Sequence, residues 1–246
     1  MLLAIPLLLT SIVLAGPAAA QSELRSRLER YQADRGSLQR SYDIPMSHLC
    51  SERMRSFYEG WTRELAAIDF ERLSLEGRVD FLLFRNHLEG RLERLAFEEQ
   101  RDLQVVPLVP FFETIVRLAE AHLWMEPIDP EHAATQLAGL AKQISSASSE
   151  LEQKLKDGPS DFPPTLAKRA ADRVAELRRT LNEWRAFYDG YDPLFTWWAR
   201  HPSDEAERAL SGYEGFLRDR LAGKQGADDP VIGDPIGREA LLADLA

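Results

Sequence analysis

The chain has 246 residues, room for one or two domains, and its 44% hydrophobic and 28% charged content is that of an ordinary globular protein. Forty acidic residues against 30 basic give a net charge of −10, which argues against a general nucleic-acid binder and disfavours docking on anionic lipid. The single cysteine, Cys50, excludes an intrachain disulfide.

Residues 1–20 carry an apolar run from Leu2 to Leu14, then Gly16-Pro17 and the small residues Ala18-Ala19-Ala20. This pattern predicts a secretory signal peptide cut near Ala20, although no Lys or Arg precedes the run. The run is too short to span a bilayer comfortably, so no membrane association is expected beyond the signal peptide. The mature chain, 21–246, is expected to be one helical domain in the periplasm or secreted.

Ser22 to Gln39 reads as a first, polar helix with Leu24, Leu28 and Tyr31 on one face. After Pro45, Ser47 is a capping residue for a second helix, in which Met54, Phe57, Tyr58, Trp61, Leu65 and Ile68 recur at spacings of three and four. A long third helix begins at Ser74. Its expected apolar face is Leu75, Val79, Leu82, Leu83, Leu88, Leu92 and Leu95, with Gly77 and Gly90 as candidate points of close helix approach. The next helix starts near Pro110 and ends at Pro127.

Asp129-Pro130 is a cap followed by a first-turn proline. Leu137, Leu140, Ile144, Leu151 and Leu155 follow at near-heptad spacing up to Asp157-Gly158-Pro159. The pattern restarts at Pro163 with Leu166, Ala170, Val174, Leu177, Leu181, Trp184 and Tyr188. Two stripes around a short Pro/Gly loop predict a long antiparallel helical hairpin. His201-Pro202-Ser203 opens a further helix that ends at Gly223. Asp234-Pro235 repeats the cap-plus-proline start, and Leu241, Leu242 and Leu245 begin an apolar face. That unfinished face leads us to expect a domain that continues past Ala246. No stretch alternates like a strand, so the expected fold is all-α, a bundle-like array of helices.

Two segments are candidates for function. Trp184 to Trp198, WRAFYDGYDPLFTWW, holds three of the five tryptophans. It reads either as a hydrophobic corner locking two helices or as an aromatic-lined ligand cleft, with Tyr191, Asp192, Trp197 and Trp198 as cleft residues. DDPVIGDPIGRE places Gly233, Asp234 and Arg238 at a turn feeding a helix. It reads as a tight turn or as a substrate-contacting loop whose backbone N–H groups meet an anionic group.

Catalytic motifs are missing. There is no H-E-x-x-H helix, G-x-S-x-G elbow or phosphate loop. His122 and Glu126 have helical i,i+4 spacing but no third metal ligand in sequence. His48, Cys50 and Glu52 point apart on a helix, and His87, His132 and His201 have no evident partner.

Four stretches, LSLEGRVDFLLFRNHLEGRLERL, PLVPFFETIVRLAEA, LNEWRAFYDGYDPLFTWW and VIGDPIGREALLADLA, resemble in order a bacterial family known as domain of unknown function 885. The resemblance implies a mainly helical, often exported protein of a zinc-dependent metallopeptidase-like family. In that family an H-E-x-x-P-G-H-type motif lies in a C-terminal half, beyond where this sequence ends. It therefore implies zinc in the full-length family but no cofactor and no catalytic residue in these 246 residues. The implied role is an N-terminal helical portion that walls the cleft, meeting a peptide substrate together with the missing half. The other reading is a non-catalytic periplasmic helical binding or scaffold module.

Overall fold

The computed structural model describes residues 22–223 together with 233, 237, 238 and 241. The signal peptide expected over 1–20, Asp234, and the apolar positions 242 and 245 lie outside the described residues. Among the described residues the fold is all-α, without a strand. No helix among them is long and apolar enough to cross a membrane.

The helices are α1 (Arg25–Ser41), α2 (His48–Ala66), α3 (Leu75–Val105), α4 (Phe112–Leu123), α5 (Pro130–Asp157), α6 (Pro164–Tyr188) and α7 (Pro193–Phe216), which runs on into a wider turn over Leu217–Leu221. Several starts follow from capping chemistry. The Ser47 hydroxyl accepts the Cys50 N–H at 3.1 Å and the Ser74 hydroxyl accepts the Gly77 N–H at 3.1 Å. The Asp129 carboxylate accepts from Glu131 and His132. Each side chain replaces a helical partner that the first N–H groups lack.

The helices build two apolar cores. The smaller joins α1, α2 and the first half of α3 through Leu24, Tyr31, Tyr58, Trp61, Phe84 and Leu88. The larger joins α4 to α7 around Ile115, Leu137, Leu140, Val174, Leu177 and Leu210, with the Tyr213 hydroxyl donating to the buried Leu108 carbonyl. The stripes expected on α5 and α6 both enter this core. The closest neighbour of α5, however, is α7 rather than α6, an approach that the loop-based pairing did not indicate. Both helices carry small buried residues, Ala133 and Ala147 on α5 and Ala199 and Ala206 on α7.

Three expectations need correction. The first half of the α3 stripe is exposed: Leu75 by 80%, Leu83 by 64%, with Val79 and Leu82 also open. The buried face is instead Phe84 and Leu88, because α1 and α2 cover only that side. Secondly, α7 does not start at His201. It starts at Asp192-Pro193, which supplies the cap and first-turn proline, and passes through Pro202 without stopping. Thirdly, α4, which starts at Phe112 close to Pro110, ends at Leu123, before Pro127. Of the two α3 glycines, Gly77 meets the Glu23 carboxylate, where a Cβ would lie 2.2 Å away, whereas Gly90 faces open space.

Candidate functional site: a cleft at the α4–α6 corner

The aromatic stretch divides into a core half and a surface half. Trp184 and Phe195 are buried, 5.4 Å apart between ring centroids, and Tyr188 packs 5.1 Å from Phe195. Tyr188 ends α6. Gly190, with φ of +81°, then turns the chain so that Asp192 returns its N–H to the Tyr188 carbonyl. Asp192 is a cap: its carboxylate accepts from Leu194 and Phe195 at 2.9 and 3.1 Å. Tyr191, at 84% exposure, Trp197, at 72%, and the less open Trp198 lie on the surface with Phe187 and Leu194. Trp197 and Trp198 meet edge to face at 4.8 Å.

A cleft of about 510 Å³ opens beside this corner. Its inner wall is Trp184 and Tyr188 of α6; the facing side comes from the end of α4 and the start of α5, including Glu120, His122, Trp124, Glu126 and His132. His122 is placed by aromatic contact. Its ring centroid lies 4.3 Å from Phe187 and 5.6 Å from Tyr188, and its Nδ1 is 3.3 Å from the Tyr188 hydroxyl. Burial pushes the Tyr188 phenol above its ordinary pKa, so at neutral pH it remains a hydroxyl that can donate or accept.

The turn after α4 shapes the rim. The Glu126 N–H reaches the Ala121 carbonyl and the Met125 N–H reaches the His122 carbonyl, both at 2.9 Å, while Met125 sits at φ of +54°. This is a Schellman ending with methionine where glycine is usual. It aims Trp124 and Met125 outward. It also breaks the helical spacing assumed for His122 and Glu126: both line the cleft, but Glu126 lies past the end of α4 rather than one turn along it.

Of the residues singled out in sequence, Tyr191, Asp192, Trp197 and Trp198 do not line the cleft. Gly233 and Arg238 are exposed and do not line it either. The sequence reading missed Trp124, Glu120 and His132 as neighbours. Trp124 could have been flagged, since a large aromatic just before the Glu126-Pro127 break has no helix face to join.

The resemblance puts its zinc motif outside these 246 residues. Among the described residues no group of three or more His, Cys, Asp or Glu is placed to hold a metal ion, and His122 Nδ1 lies 3.3 Å from the Tyr188 hydroxyl. A catalytic zinc ordinarily takes three protein ligands. No protein-family model matches the chain, and no curated protein or solved structure matches it.

Proposed function

We propose that this chain is the substrate-binding helical portion of an exported zinc-dependent metallopeptidase-like hydrolase, walling the cleft while a segment outside these 246 residues carries the metal motif. One observation supports the reading most. The α4–α6 corner forms a concave site with aromatic walls at Trp184, Tyr188 and Trp124 and polar groups at Glu120, His122 and Glu126. Apolar walls with a few directed polar groups are the ordinary make-up of a ligand site. Peptide is the substrate class, and the chain alone supplies shape and hydrogen bonds.

The test is a peptide array probed with the purified chain, its hits measured by calorimetry. The reading expects micromolar-class binding that Trp124→Ala weakens at least tenfold, with no peptide turnover and substoichiometric zinc. Chelator-sensitive hydrolysis by the chain alone, or hits unaffected by Trp124→Ala, would overturn it.

A non-catalytic scaffold is the second reading. The observation favouring it is the exposed Leu75, Val79, Leu82 and Leu83 face of α3, since open apolar patches commonly mark contact surfaces.

A further inference from the structure

Two arginines at the edge of the smaller core hold positive charge that no carboxylate pairs with. His87 and Arg91 lie one turn apart on α3, and Arg35 approaches from α1. Arg35 Nη1 is 3.4 Å from His87 Nε2, and the Tyr31 hydroxyl is 2.8 Å from the same nitrogen. A guanidinium has no acceptor, so Nε2 is the accepting nitrogen, and two donors meet its one lone pair. Arg91 Nε makes only a long contact, 3.4 Å, with the Tyr58 hydroxyl. Among the described residues neither Arg35 nor Arg91 forms an ion pair with a carboxylate.

Two further observations point to an anionic ligand. Arg35 Nε is closed off from solvent and has no hydrogen-bond partner. A buried N–H without an acceptor costs free energy, and more when it belongs to a charged group. The second is convergence. Burial first, then the Arg35 and Arg91 charges, hold the His87 imidazole below its ordinary pKa, and both guanidinium charges also act on the Tyr31 hydroxyl, against the burial that raises its pKa. Along the same α1–α3 seam, a groove of about 260 Å³ takes in Gln39, Tyr58 and Arg91 together with Arg94, Asp43 and Glu98. Its two guanidinium groups and two carboxylates balance, which leaves Arg35 as the excess charge. The chain as a whole, at −10, repels anions, so an anion bound here is held by local contacts.

We propose that Arg35 and Arg91, with His87 beside both, bind a tetrahedral oxyanion, the phosphate group of a phosphate ester, across the α1–α3 seam. Guanidinium forks on two helices each offer paired N–H donors to such a group, and charge-assisted bonds of this kind are roughly twice as strong as neutral ones. The groove at Arg91 leaves room for the organic part of the ester. The site shares no residue with the α4–α6 cleft and does not depend on what that cleft binds.

The probes are inorganic phosphate and acetate, titrated into the full chain in chloride at matched ionic strength, with the histidine ring resonances followed by NMR. Phosphate is expected to shift the His87 resonances and raise the His87 pKa, because an anion offsets its two positive neighbours; the exposed His132 and His201 should not respond. Acetate should bind at least fivefold more weakly. Arg35→Gln and Arg91→Gln should each weaken phosphate at least tenfold, while Arg179→Gln, at an exposed arginine of α6, should leave it unchanged. Phosphate should also raise the Tm of the native chain and of Arg179→Gln, but not of Arg35→Gln, since a ligand that binds only the folded chain stabilises it. Far-UV circular dichroism checks that each variant is folded, and the His87 titration needs no variant. Phosphate that leaves His87 unmoved, acetate as effective as phosphate, or equal losses in Arg179→Gln and Arg91→Gln would overturn the proposal.

Discussion

Met125 and His87 show how single residues carry cost in this fold. Met125 is 89% exposed and held at φ of +54°, so it has the strain of a left-handed residue with little burial to offset it. A left-handed conformation costs an L-residue about 1–2 kcal/mol, and glycine escapes most of that. Met125→Gly should therefore stabilise the chain by about 1 kcal/mol in denaturant unfolding; a loss of stability would show that the methionine makes a favourable contact in the folded chain. His87 lies half-buried at the edge of the smaller core, its Nε2 2.8 Å from the hydroxyl of the core residue Tyr31. Burial first, then the nearby Arg35 and Arg91 charges, push its pKa below the ordinary 6.5. With the folded pKa depressed, the unfolded chain binds the proton more readily in this window. His87 therefore favours folding above pH 6.5 and loses that contribution as pH falls through the folded pKa. The expected result is a shallower fall in stability between pH 7 and 5 for His87→Gln than for the native chain. A steeper or identical slope would contradict the assignment.

At the scale of helices, apolar spacing and burial agree only where a neighbour covers the stripe. On α6, Leu177 is fully buried between facing helices, and Leu177→Ala should cost roughly 2–5 kcal/mol. On α3, Leu83 repeats at the same kind of spacing yet is open, and Leu83→Ser should change stability by less than about 0.5 kcal/mol. Equal costs at the two positions would contradict the packing. This contrast also marks what the sequence could reveal. Helix starts at Ser47, Ser74 and Asp129 were legible because a side chain within three residues satisfies the orphan N–H groups; Asp192-Pro193 carries the same signal, but the later His201-Pro202-Ser203 reads as the start instead. The exposed half of α3 was not legible, since a stripe states which face is apolar and not which helix arrives to cover it. Nor was the close α5–α7 pairing, since the short loop between α5 and α6 pointed to those two as partners. The cleft was half legible: the Trp184–Trp198 stretch marked the corner, but Glu120, Trp124 and His132 converge on it only through the turn at Met125.

For the whole molecule, two cores share one long helix and a few polar ties. Besides the Ser47–Glu120 hydrogen bond, the α3 end meets α6 through Arg173 and Asp102 at 2.7 Å and through Arg169 and Gln104 at 2.8 Å. The candidate cleft belongs to the larger core, and a second groove, sharing Glu120 and Trp124 with it, runs along the start of α2, which leads into the smaller one. The central claim is that the α4–α6 corner is where this chain meets its ligand. It is tested most directly by backbone amide NMR of the isotopically labelled chain, titrated with the tightest octapeptide from the array. The account predicts shifts concentrated at Glu120–His132 and around Tyr188. Shifts confined to the open face of α3, around Leu75–Leu83, would contradict it and move the binding surface to the other end of the molecule's chemistry.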